Sequence, residues 1–336
     1  MSRILGSFLV SAVLLTASVS GLDRPRATPP KKPAQKPTPA PSAEALTFYS
    51  DTGVVNLTVT VLDKEGNLVT NLEAQDFQVF EDGRPQRVEF FGRAQDRETD
   101  ATTSRALVLD LGLLMDTSES MLKELKLSQQ AAIRFIESVP RARDLVMIFF
   151  DQDIQFSRYQ SEQQQGLFDR IQSQKGGGWT ALYDAIAVYI SRAEDTSGRK
   201  ILVLFTDGED SRSVTSQSDV MKLVRSSNVT MYPIAFGQAF RPGSTRGLQA
   251  KAFLQALATT TGGDLFSPSS SRDLPVIYEK IQTQLGAQYV IGFSSDNSKR
   301  DGKFRKLKVE AADPELRVRH REGYFSPKDE AEKASR

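Results

Sequence analysis

Three short stretches of the chain set oxygen donors where chemistry is possible. The first is Asp116-Thr117-Ser118-Glu119-Ser120, a carboxylate with hydroxyls at alternate positions, directly behind the apolar run LVLDLGLLM. The second is Thr180 in GGGWTALYDAI, where a glycine loop meets a helical pattern, and the third is Asp207 in LFTDGED. Together Asp116, Ser118, Ser120, Thr180 and Asp207 offer two carboxylates and three hydroxyls, with no imidazole, thiolate or amine. Hard, all-oxygen ligation of this kind suits Mg²⁺, allows Mn²⁺ and suits Ca²⁺ less well. Alternate residues in a loop leaving a strand can aim several oxygens at one point. With so few charges the shell leaves a dication electron-poor, able to accept one more acidic group from a partner.

Other chemistries compete for the same residues. A helix cap is one, because Ser and Asp are favoured there. A phosphatase of the haloacid dehalogenase type also uses a strand-end aspartate with Mg²⁺. It wants a second carboxylate two residues on as acid and base, and this chain has Ser118 at that position. A Ser-His-acid hydrolase would have to use His320, the sole histidine, in RVRHREGYF, and no Gly-x-Ser-x-Gly elbow is present. The glycines at 176–178 lack a following Lys-Ser/Thr, and no Gly-x-Gly-x-x-Gly occurs, so no nucleotide is expected. Nothing pairs a nucleophile with a base, and an enzyme is not expected.

The elements that must position these residues are legible from Leu107 onward. Apolar runs (LVLDLGLLMD, DLVMIFFD, KILVLFTD, VTMYPIAFG) alternate with amphipathic segments expected to be helices over about 121–139, from 180, and over 216–226, 248–260 and 273–286. QDIQF reads as a short neighbouring strand, and Gly263–Phe266 as another. This alternation predicts an α/β fold: a doubly wound, mostly parallel sheet covered on both faces, with ligands at the carboxyl ends of its strands. Leu107, Val108, Val146, Ile148, Phe149, Val203, Leu204 and Ile234 are the expected core. On either side the texture is β. VVNLTVTVL puts Val55, Leu57, Val59 and Val61 on one face, and FQVF, RVEFF, QYVIGF, FRKLKVE and LRVRHR are further short strands. Neither flank has enough strands for a stable sheet alone. Segments 48–97 and 288–326 are therefore expected to build one small β-sandwich, with the α/β domain at 104–287 inserted between them.

The order Asp116-Thr117-Ser118-Glu119-Ser120, then Thr180 in GGWTALYDA, then Asp207 in TDG resembles the metal-ion-dependent adhesion site of von Willebrand factor type A domains. The resemblance covers roughly residues 105–287. The flanks, VTVLDKEGNLVTNLEAQDFQVFEDGRPQ before it and RDGKFRKLKVE with VRHREGYFSP after it, are similar to those of a group of exported bacterial A-domain-related proteins. This resemblance implies a Rossmann-like domain that binds Mg²⁺ and recognises proteins. It implies Ser118, Ser120 and Thr180 as direct hydroxyl ligands, with Asp116 and Asp207 acting mainly through water, or directly in some states. Glu119 departs from a common form of the motif, where glycine is frequent. Its side chain is expected in solvent, and with Glu209 and Asp210 it forms an acidic rim able to repel an acidic ligand. Trp179, the only tryptophan, is either an exposed contact or packs under the glycine loop.

Composition sets the remaining bounds. A 39% apolar, 25% charged chain of 336 residues with net charge +1 is globular and has no field to recruit nucleic acid. The absence of cysteine excludes disulfides, thiolate metal sites, Cys nucleophiles and a lipobox. Residues 1–22 read as a signal peptide, with Arg3 as the positive end, Ile4 to Leu15 as the apolar stretch and Ser18-Val19-Ser20 as a cleavage site. Residues 23–47, with seven prolines between Pro25 and Pro41, read as an extended linker, and 327–336 as a disordered tail. The chain is thus expected to be exported, to the periplasm, cell surface or beyond. Membrane contact is expected only if the first segment stays uncleaved. The expected function is divalent-cation-dependent binding of a protein that offers a carboxylate. A structural cell-envelope protein with a structural or degenerate metal site is the alternative.

Overall fold

Four short strands open the described chain: β1 (Val54–Leu62), β2 (Phe77–Glu81), β3 (Arg84–Gln86) and β4 (Phe90–Arg93). The computed structural model describes residues 54–94, 108–139, 142–193, 198–236 and 244–328. All of these lie in one unit of the chain, Pro39–Arg336. The signal segment 1–22, the linker 23–47 and Leu107 fall outside the described residues, as does the tail from 329. β1 buries Val55, Leu57, Val59 and Val61 as its alternation predicts. The strand expected at RVEFF instead begins at Phe90, because its partner comes from the far end of the chain.

The α/β portion runs β5 (Leu109–Asp116), α1 (Leu122–Ser138), β6 (Ala142–Phe150), β7 (Ile154–Gln160), α2 (Gln164–Ser173), α3 (Leu182–Arg192), β8 (Arg199–Thr206), α4 (Gln217–Ser226), β9 (Val229–Ala235), α5 (Thr245–Thr261) and α6 (Leu274–Gly286). Its sheet has the order β7-β6-β5-β8-β9, parallel throughout except for β7, which runs antiparallel to β6. Every residue of β5, β8 and β9 is buried, as expected for strands covered on both faces. On one face α1, α2 and α6 supply Phe135, Ile136, Leu167, Ile171, Ile277 and Ile281. On the other, α3, α4 and α5 supply Ile186, Tyr189, Val220, Leu223, Phe253 and Leu254. Gly112, in the middle of β5, makes room for Tyr189: a Cβ there would stand 2.2 Å from the ring.

Some expectations change. The sequence pattern does not predict α2, whose buried residues are only Leu167 and Ile171, with Phe168 partly buried beside them and most other positions polar. The expected strand at Gly263–Phe266 reduces to a single parallel bridge between Ile234 and Phe266. α5 starts at Thr245 rather than 248, because the Ser244 side chain caps it by accepting from Gly247 N. Val108 is half-buried rather than core.

After α6 the chain returns to β structure with β10 (Tyr289–Ser294), β11 (Phe304–Ala311), β12 (Arg317–Arg319) and β13 (Gly323–Phe325). Two four-stranded antiparallel sheets result, β12-β1-β10-β4 and β13-β11-β2-β3. Both mix strands from the two ends of the chain, and Leu57, Val79, Tyr289, Phe293 and Leu307 share their core. The α/β fold is thus flanked by β-sheets built from N- and C-terminal strands, the architecture the sequence predicts. Gln288, 1% exposed, joins the two parts. It accepts from Arg199 Nη1 at 2.9 Å, and its Nε2 donates to the Tyr232 hydroxyl at 2.9 Å.

Candidate metal centre

β5 lies at the middle of the five-stranded sheet and ends on Asp116, so it delivers the first candidate ligand to the centre of the carboxyl edge. β8, its neighbour, ends on Thr206, which places Asp207 immediately beyond. Thr180 arrives from the loop between α2 and α3. Backbone hydrogen bonds tie these segments together. Gly177 N donates to Thr117 O at 2.7 Å and Glu119 N donates to Gly178 O at 3.1 Å, joining the glycine loop to the first motif. Ser211 N and Arg212 N both donate to Thr180 O at 2.9 Å, joining the Asp207 loop to the glycine loop. Thr206 Oγ1 donates to Asp116 Oδ2 at 2.7 Å and closes the ring of contacts.

Within this frame the donors are oriented. Asp116 is wholly buried and its Oδ1 accepts from Ser118 N at 2.9 Å. Ser118 is buried and its Oγ lies 3.2 Å from Ser120 Oγ, on an exposed residue. Thr180 and Asp207 are buried, and Asp207 Oδ1 accepts from Glu209 N at 3.0 Å. Ser118 stands at the start of the turn Glu119–Met121, yet its side chain makes no capping hydrogen bond. The competing cap therefore does not account for this serine. Gly176 is needed at the seam, because a Cβ there would stand 2.7 Å from Thr117 O.

The electrostatics of the site are set by the burial of Asp116. Burial pushes the Asp116 carboxyl up to about 7, and the nearby Asp207 charge adds to the rise, while hydrogen bonds from Ser118 and Thr206 oppose it. No cationic side chain is among the groups acting on Asp116. A buried, hydrogen-bonded carboxylate beside a second one favours either a proton or a cation. The donor set of two carboxylates and three hydroxyls fits a hard divalent ion. Among the described residues no group of three or more His, Cys, Asp or Glu side chains gathers; the carboxylate acting on Asp116 is that of Asp207.

The rim residues separate. Trp179 is 64% exposed, so it does not pack under the glycine loop. Glu119 is exposed and Glu209 half-buried. Asp210 is engaged differently: its Oδ1 accepts from Tyr183 N at 3.2 Å and from the Ser213 hydroxyl, at the start of α3. His320 lies on the β-sheet portion, where Nε2 accepts from Val309 N at 3.0 Å and Nδ1 donates to Arg321 O at 2.7 Å. Two supporting residues escape a motif reading. Thr206 holds Asp116, and Ser211 Oγ accepts from Thr180 N at 2.9 Å. The only signal for them in the sequence is a hydroxyl beside each conspicuous ligand position.

A mostly parallel sheet covered by helices on both faces, with loops bearing carboxylates and hydroxyls at its carboxyl edge, defines a Rossmann-like class of α/β domains. The chain belongs to the von Willebrand factor type A domain family, whose model matches residues 110–280. No curated protein matches the chain. Similar solved structures include proximal thread matrix protein 1 from the mussel byssus, with 18% identity, 54% of this chain and 48% of that chain covered, and a TM-score of 0.43. This chain thus spans about half the length of that protein. An aerotolerance-related membrane protein from Bacteroides fragilis has 16% identity, 53% and 98% coverage, and a TM-score of 0.42. The pilus adhesin SpaC from Lactobacillus rhamnosus GG has 8% identity, 77% and 49% coverage, and a TM-score of 0.46. None of these likenesses bears on what this chain binds.

Proposed function

We propose that the chain is an exported protein-binding module whose A domain takes a partner's carboxylate through a divalent cation, Mg²⁺ by preference. The observation that carries this reading is the convergence of three interlocked loops around Asp116, which is buried with no cationic side chain acting on it. Ser118, Ser120 and Thr180 would hold the ion through their hydroxyls, and Asp116 and Asp207 would balance its charge. The ion supplies a Lewis-acidic point that an incoming carboxylate can ligate. Thr206 and Ser211 keep the loops in register, so the ligands need little rearrangement. Residues 1–22 support export.

The test is thermal unfolding of the chain with Mg²⁺ and with EDTA. Millimolar Mg²⁺ is expected to raise the melting temperature by several degrees, in line with about 2–3 kcal/mol from a ligand in hundredfold excess over its Kd. Asp116→Ala and Thr180→Ala are expected to abolish that rise. A melting temperature indifferent to Mg²⁺, EDTA and both substitutions would remove the metal from the reading. A Mg²⁺ response together with partner capture that survives Thr180→Ala would favour the structural envelope alternative.

A further inference from the structure

The six exposed large apolar side chains among the described residues are Leu122, Leu127, Trp179, Val214, Leu248 and Val276. Their positions are one-sided. Leu122 and Leu127 lie in the first two turns of α1, Leu248 in the first turn of α5 and Val276 in the first turn of α6. Trp179 and Val214 lie in the loops that lead into α3 and α4. All six therefore sit towards the end of the sheet where the parallel strands deliver their carboxyl termini. Scattered single apolar residues are ordinary on a protein surface, but all six of these lie towards the end where the candidate site is, and Trp179 stands directly beside Thr180.

Trp179 is the chain's only tryptophan and stands next to Thr180. The backbone around it is pinned. Gly178 O accepts from Glu119 N at 3.1 Å, Thr180 N donates to Ser211 Oγ at 2.9 Å, and Ala181 N donates to Asp151 O at 2.8 Å. An exposed indole on a fixed backbone loses little entropy when covered, the property of an anchor residue in a protein interface. Exposed Glu119 is tied to the residue before Trp179 by its N donating to Gly178 O at 3.1 Å, and half-buried Glu209 donates its N to Asp207 Oδ1 at 3.0 Å. Acidic side chains thus stand on two of the site's loops, and a basic group on the partner is favoured over a second acidic one.

We infer that Trp179 is the specificity-determining contact of this face: it seats a large apolar or aromatic side chain of the partner protein, adjacent to the carboxylate that the metal takes. The partner segment is then an acidic residue flanked by an apolar side chain, with a basic side chain towards Glu119 and Glu209. This inference rests on the metal-dependent reading above and adds a contact that does not involve the ion.

The experiment selects a displayed library of disulfide-constrained peptides, each with a fixed central Asp and three randomised residues on either side, on the immobilised full chain in Mg²⁺. Parallel selections use Trp179→Ala in Mg²⁺ and the wild type in EDTA. Recovered peptides are expected to carry a large apolar or aromatic residue within two positions of the Asp. Calorimetric titration should show them binding Trp179→Ala about tenfold or more weakly, with Trp179→Phe recovering much of the loss. The Mg²⁺-induced rise in melting temperature, recorded for each variant, separates a lost contact from a lost fold. Peptides without apolar neighbours, equal binding to wild type and Trp179→Ala, or failure to select any peptide would overturn the inference. Equal binding in Mg²⁺ and EDTA, with Trp179 still required, would instead sink the metal reading and leave the Trp179 contact standing.

Discussion

A carboxylate taken out of water needs a proton, a cation or a full set of donors, and Asp116 has donors on both oxygens yet still carries a raised proton affinity. That imbalance is the residue-scale support for the proposed ion over a cap. His320 shows the opposite economy of a buried titratable group, because both ring nitrogens are committed and the neutral form satisfies both bonds. Burial lowers its proton affinity more than the hydrogen bond to Arg321 O raises it, and the neighbouring Arg321 charge lowers it as well. The unfolded chain takes up a proton near the ordinary histidine value while the folded chain resists it. His320 therefore contributes stability that is present above about pH 6.5 and lost as pH falls below it. Unfolding followed from pH 8 to pH 5 should show the wild type losing stability relative to His320→Gln across that window. Parallel profiles for the two proteins would refute the assignment.

At the scale of elements, what could be read from the sequence was what the chain states locally. Continuous apolar runs marked β5, β6, β8 and β9, and the ligand types at their ends marked Asp116 and Asp207, because both signals are written in neighbouring residues. α2 was hidden by its mostly polar composition, with Leu167 and Ile171 buried and Phe168 partly buried against the core. β13 is only three residues long and pairs with the nearby β11. The true start of β4 was hidden for another reason: its register is set by a strand about two hundred residues away, Phe90 opposite Gly292. Thr206 and Ser211 were hidden in the same way, since each supports a residue on a different loop. The packing of α3 on β5 yields a test of how tightly the site's central strand is held. A Cβ on Gly112 would meet the far half of the Tyr189 ring, at 2.2 Å from Cε2 and 2.5 Å from Cζ. Gly112→Ala is expected to destabilise by about 1–3 kcal/mol, the range for overpacking a core. Adding Tyr189→Leu, which removes those ring atoms, should recover part of the loss. Urea midpoints of the single and double variants measure this, and an additive double variant would mean the clash is not with Tyr189.

At the scale of the molecule, strands from before and after the A domain in sequence pair with each other, β1 and β4 with β10 and β2 with β11. The joint is polar and buried. Arg199 Nη1 donates to Leu285 O at 3.0 Å and to Gln288 Oε1 at 2.9 Å, Gln288 Nε2 reaches the Tyr232 hydroxyl, and Ala94 N donates to Gln288 O at 2.8 Å. Arg319 pairs with Asp264 at 2.8 Å, and Glu322 N donates to Thr260 O at 3.0 Å. Gly262 closes α5 in the left-handed conformation directly against His320, where a Cβ would stand 2.6 Å from the His320 carbonyl carbon. Groups buried in such a seam lose their partners if either side opens, at a cost of about 1–3 kcal/mol for each one left unsatisfied. The α/β portion and the β-sheets should therefore unfold together, and calorimetry of the chain should show one transition rather than two. Gln288→Ala, which removes an acceptor from Arg199 and a donor from Tyr232, should lower that single transition by several degrees without splitting it. Two resolved transitions in the wild type would mean that the seam does not couple the parts. The face around Trp179 would then be carried by an A domain that moves independently of the sheets.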